Sequence, residues 1–478
     1  MKGAALGGLA LASLLGACSM APEYHRPEMP APETYKEAGD WKPAQPADAA
    51  ARGAWWQVFG DPDLAALEAR SADGNQDLKA ALARLQQSRA AARYAGADQL
   101  PSLSAGASFT RQRSSQNRAL FNAGAPNPYN DFLLNADLSY ELDFWGRVRN
   151  TVSAAERSAE AAAADYATAT LSIQAELAQD YFALRSSDAA QALLDQSVAS
   201  YDKALTLTQN RYQGGAASAV DVAQAETQLQ TARTQAAEQH LRRAQIEHAI
   251  AVLVGVPPAQ FSLAPAPLAV TIPAIDPGLP SALLERRPDI ASAERRVAAA
   301  NAGVGVARAA YFPVFSLAAV AGYESGKSGS WIEAPAHLWS FGPSALFTLF
   351  DGGRRSANSD RAHAALDEAV AQYRQSVLNG YREVEDALVA LHQLEQEAAT
   401  QDAAAAAAQR ALQQAQYRYK GGIATYLEVV SAQNAALQAQ LATIDIRNRR
   451  AAASVLLVKA LGGGWSAASG GNSDSTVE

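Results

Sequence analysis

Two acidic residues sit at matched places in this chain: Asp221 and Glu428, 207 residues apart. Each lies six residues beyond a double glycine, in Arg211-Tyr212-Gln213-Gly214-Gly215 and in Arg418-Tyr419-Lys420-Gly421-Gly422. Each turn therefore carries a carboxylate, a guanidinium and a phenol. Such a set attracts cations and links one turn to another, and no nucleophile-base arrangement in the chain supports covalent catalysis. The plainest account is local: the glycines permit a reversal, and the acid opens the next helix, where the dipole favours negative charge. A second account is that symmetry repeats the acids around the end of a tube. A ring of carboxylates at a constriction attracts cations and can gate a pore. On that account a hydrogen bond from Tyr419 to Asp221 would hold the end closed, and Tyr419→Phe would loosen it.

No other constellation competes. The six histidines are scattered, there is no HExxH, and Cys18 is the single cysteine, so no metal or cofactor is expected. Gly462-Gly463-Gly464 follows the last helical tract and reads as a helix stop, not a phosphate loop. Charged residues make up 18% of the chain and the net charge is −8, with no basic stripe to hold nucleic acid.

The elements that must position the two turns repeat with them. Gly146-Arg147 recurs as Gly353-Arg354 at the same spacing. Arg147 to Gln213 contains neither glycine nor proline, and Arg354 to Lys420 contains only Gly380. Shorter tracts, Ala216 to Val254 and Ile423 to Leu461, follow each double glycine. The pattern is long helix, tight turn, medium helix, repeated once. Apolar residues at three-four spacing (Tyr373, Val377, Val384, Leu388, Leu391) share phase with Tyr166, Thr170, Leu177, Tyr181 and Leu184. That spacing predicts coiled-coil packing. A tract of 67 residues would extend roughly 100 Å as a helix, so it must lie along neighbours in a rod, tube or bundle.

Ahead of each long tract comes a shorter helical region, Leu64 to Asp98 and Leu283 to Ala310, and then the period changes. Leu134, Ala136, Leu138, Tyr140 and Leu142 alternate with polar residues, as do Phe315, Leu317, Ala319, Ala321 and Tyr323. Weaker alternation covers Leu103 to Phe109 and Phe341 to Leu349. Each half thus supplies a pair of strands joined by loops over about Arg111 to Asp131 and Ser325 to Leu338. Their length suits a tilted membrane strand of about 9–11 residues, though a soluble sheet with one buried face would alternate in the same way. Four strands cannot close a barrel, and open edges are not tolerated in lipid. Membrane-spanning strands therefore force assembly, as a dimer of eight strands, a trimer of twelve or a tetramer of sixteen.

The N-terminus has Lys2, an apolar run from Gly3 to Ala17, and Leu15-Gly16-Ala17-Cys18, which matches a bacterial lipobox. An ordinary signal peptide with a cysteine near its cut is the plainer alternative. On the lipoprotein reading Cys18 carries the acyl chains, and several chains together anchor stably.

These features resemble the outer membrane factor family, the TolC-like, NodT-type efflux channel lipoproteins of Gram-negative bacteria. The carrying residues are Ala21-Pro22-Glu23-Tyr24-His25-Arg26-Pro27, Trp56, Phe59, Asp61-Pro62, the run Leu279 to Ile290, Ala309-Ala310-Tyr311-Phe312-Pro313, Phe350-Asp351-Gly352-Gly353-Arg354 and both Arg-Tyr-x-Gly-Gly turns. The resemblance implies an α+β membrane protein: a trimeric twelve-stranded outer-membrane barrel, four strands per chain, continuous with a periplasmic helical coiled-coil tunnel. It further implies a periplasmic aperture built by Asp221, Glu428, Tyr212, Tyr419, Arg211 and Arg418. The turns at Gly214, Gly215, Gly421 and Gly422 would dock a periplasmic adaptor. Further implied partners are an inner-membrane pump, expected to be of the resistance-nodulation-division type, and outer-membrane lipids. Family members often carry two acids one turn apart; here the residue three beyond Glu428 is Ser431, so a single-acid ring is expected.

The expected organisation is a signal peptide over 1–17, an extended strap over 18–62 and a first repeat over 63–255. An equatorial linker over 256–280, a second repeat over 281–462 and a flexible tail over 463–478 follow. The function this implies is a passive, non-enzymatic outer-membrane duct for drugs or other toxic small molecules. A structural coiled-coil surface lipoprotein and a duct for type I protein secretion are the alternatives.

Overall fold

The computed structural model describes residues 19–32, 34–38, 54–117, 119, 122, 124, 126–268 and 286–463. The expected signal peptide, Cys18, much of the strap, the linker beyond residue 268, Leu283 and the tail beyond residue 463 lie outside the described residues. In chain order the helices and strands are α1 (Pro62–Gly74), α2 (Gln76–Ala97), β1 (Ser102–Gln112), β2 (Tyr129–Leu142), α3 (Arg147–Gln213) and α4 (Ala219–Leu253). The second half repeats the pattern with α5 (Pro288–Ala309), β3 (Val314–Ser325), β4 (His337–Leu346), α6 (Arg354–Lys420) and α7 (Tyr426–Ala460). The long helices α3 and α6 match the glycine- and proline-poor tracts residue for residue, 67 residues each. Among the described residues no helix is long and apolar enough to cross a membrane.

The chain divides into two compact units, the first spanning Met1–Glu28, Arg84–Ala162 and Ser292–Arg374. Its centre is a four-stranded antiparallel sheet in the order β1-β2-β3-β4. The register sorts side chains by kind. Ala105, Ala136, Ala321 and Trp339 stand in one row across the sheet, and Leu103, Leu138, Ala319 and Phe341 in another. The intervening row is Ser104, Asp137, Val320 and Ser340. Because successive residues point to opposite faces, one face is mainly apolar, with Arg111, Asn130, Ser325 and His337 at its loop end, and the other mostly polar. On the apolar face Leu103, Trp339 and Phe341 are 74%, 71% and 64% exposed. The outer edges of β1 and β4 have no strand partner among the described residues.

The fourth strand begins earlier than its alternation predicts, at His337, and ends at Leu346 instead of Leu349. Its ladder with β3 runs from Tyr323↔His337 to Val314↔Leu346, where Pro313 precedes β3 and has no N–H to offer. Both returns from sheet to helix are capped by an aspartate. Asp143 accepts from the amides of Val148 (3.0 Å) and Arg149 (2.8 Å), and Asp351 from Gly353 and Arg355 (3.1 Å each). Glu141, the penultimate residue of β2, grips Arg147 at the start of α3 through two bonds of 2.8 and 2.6 Å.

The second unit spans Met29–Ala83, Ala163–Ala291 and Gln375–Glu478. Its main core joins Trp55, Phe59, Leu64, Leu67 and Leu78 to Leu177, Tyr181, Phe182 and Leu184 of α3, with Ile250 and Val455. The expected stripe positions Leu177, Tyr181, Leu184, Val377, Val384, Leu388 and Leu391 are all buried. The helical region expected over Leu64 to Asp98 consists of two helices. Asn75 has extended backbone, and its side chain caps α2 through the Leu78 amide (3.0 Å) while donating to the Leu253 carbonyl (2.9 Å). A Cβ on Gly74 would lie 2.2 Å from the Val254 carbonyl oxygen, so the break is fixed by contact with the end of α4. Residues 263–266 are held by charge: Arg243 donates to the Leu263 carbonyl (2.7 Å), Arg185 to that of Ala264 (2.8 Å), and the Ala266 amide to Asp188 (3.1 Å). Asp188 is itself buried between Arg185 (3.3 Å) and Arg243 (2.6 Å).

One group sits badly in this core. Glu68 is 1% exposed and neither carboxylate oxygen has a hydrogen-bond partner. Burial pushes it up to about 9, so it is neutral at pH 7. A carboxyl raised in the folded state contributes fully below the unfolded value near 4.3, and that contribution is lost as pH rises toward 9. We predict that Glu68→Leu stabilises the protein by about 1–3 kcal/mol at pH 7, the usual cost of unsatisfied buried polar groups. Glu68→Gln should flatten the fall in thermal midpoint between pH 5 and 9. Equal slopes in the two proteins, measured in detergent, would show that Glu68 is not buried as described.

Candidate aperture at the helical hairpin turns

The two Arg-Tyr-x-Gly-Gly turns close in the same way. The amides of Gly214, Gly215 and Ala216 donate to the carbonyls of Asn210, Tyr212 and Arg211 at 3.1, 3.0 and 2.7 Å. Those of Gly421, Gly422 and Ile423 donate to Tyr417, Tyr419 and Arg418 at 2.9, 3.1 and 3.0 Å. In each pair the second glycine, at φ +76° and +75°, takes the left-handed conformation that ends the helix. Gly214 and Gly421 have no positive φ, and a Cβ would meet backbone oxygen at 3.5 and 3.4 Å. The double glycine is therefore one obligatory position and one permissive one.

Past the turns the symmetry fails. Ser218 caps α4 with a reciprocal box: its hydroxyl accepts from the Asp221 amide (3.2 Å), and Asp221 accepts from the Ser218 amide (2.8 Å) and hydroxyl (2.9 Å). Thr425 makes no such bond at the start of α7, so Glu428 is available to Arg418 of its own hairpin at 3.2 Å. Both side chains of that pair are about half exposed, so it contributes at most about 1 kcal/mol. Arg211 does cross between hairpins. Its guanidinium donates to the Tyr419 carbonyl (3.1 Å) and lies 4.6 Å over the Tyr419 ring.

The expected bond from Tyr419 to Asp221 is not formed. Tyr419 is pressed edge-on against Tyr426, ring centroids 5.3 Å apart, within a cluster that includes Ala225 and Val429. Its hydroxyl is buried without a hydrogen-bond partner, and Asp221 is engaged by Ser218. Tyr212 is half exposed and joins neither link. The structure thus brings together Arg211, Tyr419 and Tyr426, and separately Arg418 and Glu428. Burial, with Tyr419, Tyr201 and Asp221 adding to it, pushes Tyr426 up to about 12. Sequence reasoning passed over Tyr426 and Ser218. The signals were there: Ser218-x-x-Asp221 is a capping-box spacing, and Tyr426 replaces the alanine, Ala219, found 207 residues earlier. Among the described residues no group of acids, histidines or cysteines could hold a metal ion.

A four-stranded sheet returning twice into long helical hairpins defines a class of membrane channel subunit, and comparison with known proteins places the chain within it. The family model of the outer membrane efflux proteins matches residues 68–256 and 279–463, and the chain belongs to that family. It is an outer-membrane efflux channel without enzymatic activity. It is 34% identical over 471 residues to the toluene efflux pump outer membrane protein TtgC of Pseudomonas putida, covering 98% of this chain and 97% of the relative. It is 30% identical over 460 residues to the cation efflux system protein CusC of Escherichia coli, covering 95% and 97%. Among solved structures it resembles the Campylobacter jejuni CmeC outer membrane channel, with a TM-score of 0.89 at 26% identity, covering 94% of this chain and 96% of that one.

The geometry reverses one expectation. Tyr419→Phe should leave the hairpin contact unchanged, because the lost hydroxyl bonds to nothing. Arg211→Ala removes both the charged hydrogen bond and the ring contact, and should weaken the contact by about 1–3 kcal/mol. Single-channel recordings in planar bilayers check both: Arg211→Ala raises open probability and Tyr419→Phe does not.

Proposed function

We propose that three copies of this chain form an export duct in the outer membrane, lipid-anchored through Cys18 and opened by a periplasmic adaptor and an inner-membrane pump. The observation that carries this reading is the sheet: one mainly apolar face, one mostly polar face and two edges unpaired among the described residues. Lipid tolerates no open edge, and three sheets of four strands make a closed ring of twelve, well above the smallest membrane barrels of about eight. In that ring Asp137, Glu141 and Glu324 belong to the polar, lumen-facing side.

The repeats over 63–255 and 281–462 supply the hairpins, the strap over 18–62 and the linker over 256–280 girdle them, and the tail follows from 463. At the aperture Arg211 with Tyr419 links the two hairpins, Arg418 with Glu428 braces the second one, and Asp221 and Glu428 supply carboxylates. The turns at Gly214, Gly215, Gly421 and Gly422 are the proposed adaptor-docking surface. The links are individually weak, which suits a closure that an adaptor must undo. A pump of the resistance-nodulation-division type is the favoured partner. The relatives' names, one a toluene pump and one a cation system, fit a duct whose cargo is chosen by its pump.

Purified protein should run in SDS without heating as an oligomer of three chains that collapses to one on boiling. A monomer under both conditions would sink the reading. In lipid bilayers, Asp221→Ala with Glu428→Ala should raise conductance or reduce preference for cations. Unchanged conductance and selectivity would remove the acids from the gate.

A further inference from the structure

The first described residues of the chain are seated in a notch of the first unit. Ser19 donates from its hydroxyl to Oδ1 of Asn150 at 3.0 Å. Asn301 donates to the Pro22 carbonyl at 2.9 Å, Tyr24 hydrogen-bonds Glu294, and Arg26 donates to the Tyr373 hydroxyl at 3.2 Å. The strap therefore descends α5 away from the sheet, with its N-terminal end nearest the strands. The floor of the notch is Gly305. A Cβ there would stand 2.5 Å from Nδ2 of Asn150 and 2.7 Å from both Cα and Cβ of Ala21, so any larger residue would evict the strap.

Asn150 is 6% exposed, and its Nδ2 is buried with no hydrogen-bond partner. A buried amide donor without an acceptor is unusual and points to a group that completes it. The residue that precedes Ser19 is Cys18, whose Cα is about 3.8 Å from that of Ser19 by covalent geometry alone. Acylation of its α-amine would convert a charged ammonium into a neutral amide whose carbonyl accepts a hydrogen bond. A free ammonium has only donors and offers Nδ2 nothing.

We propose that Asn150 and the Gly305 notch form a seat for the acylated N-terminus, with Nδ2 of Asn150 donating to the amide carbonyl on Cys18. This rests on the lipoprotein reading of Cys18 given above. Asn150 lies three residues into α3, which follows β2 directly, so the seat is about one helical turn beyond the helix end of the sheet. The seat would thus fix the acyl chains at one depth, where the strands leave the membrane, instead of leaving them on a free tether.

A two-by-two comparison tests it in the full-length oligomer in detergent, using hydrogen exchange of the peptide over residues 19–24. Acylated protein is compared with a Cys18→Ala form exported by an ordinary signal peptide, each with Asn150 and with Asn150→Leu. Acylation should slow exchange about tenfold when Asn150 is present and have little effect in Asn150→Leu. Gly305→Val should give fast exchange in both forms. An equal effect of acylation in both Asn150 backgrounds would overturn the seat while leaving the anchor intact. The mass of the N-terminal peptide separates the two readings: an unmodified Cys18 in the wild-type protein would overturn the anchor and the seat together.

Discussion

Everything in this chain answers to a hydrogen-bonding constraint at the two edges of one sheet. A strand edge facing hydrocarbon leaves amides and carbonyls with no partner, at several kcal/mol for each group. The outer edges of β1 and β4 are such edges, and among the described residues no other strand is available to cover them. The long helices inherit the problem, since each pair of strands feeds directly into a hairpin through an aspartate-capped turn. Whatever ring the sheets close must also be closed by the hairpins.

The internal duplication supplies the parts of that ring and then departs from itself where control is needed. Both turns use the same backbone closure, with a left-handed second glycine. Their side chains have separated in role. In the first hairpin the acid is spent on starting a helix, and the arginine reaches across to the other hairpin. In the second the acid is left to pair with its own arginine, and an added aromatic, Tyr426, supports the ring that the crossing arginine covers.

The long helices were legible in the sequence to the residue because glycine and proline punctuate them and nothing tertiary competes. Strands β2 and β3 were legible for the same kind of reason: alternation is strict where both neighbours are strands. The misjudged places are those where a distant contact decides. Asn75 breaks a helix because the end of α4 demands its amide, and β4 starts early because Tyr323 offers a partner to His337. Of the aperture, the residue set was readable but its wiring was not. The capping-box spacing of Ser218 and Asp221 was open to reading, but nothing in the sequence shows that Arg211 reaches across to the Tyr419 carbonyl and ring.

Unpaired edges also have a genetic meaning. In the proposed trimer a protomer whose β1 or β4 is damaged does not fail alone, because each edge would be half of a seam with a neighbour. In a cell carrying intact and damaged copies, mixed rings would form, and a single faulty edge would open the wall of all of them. Lesions in these strands should therefore behave as dominant, whereas lesions that stop the chain from reaching the membrane should be recessive.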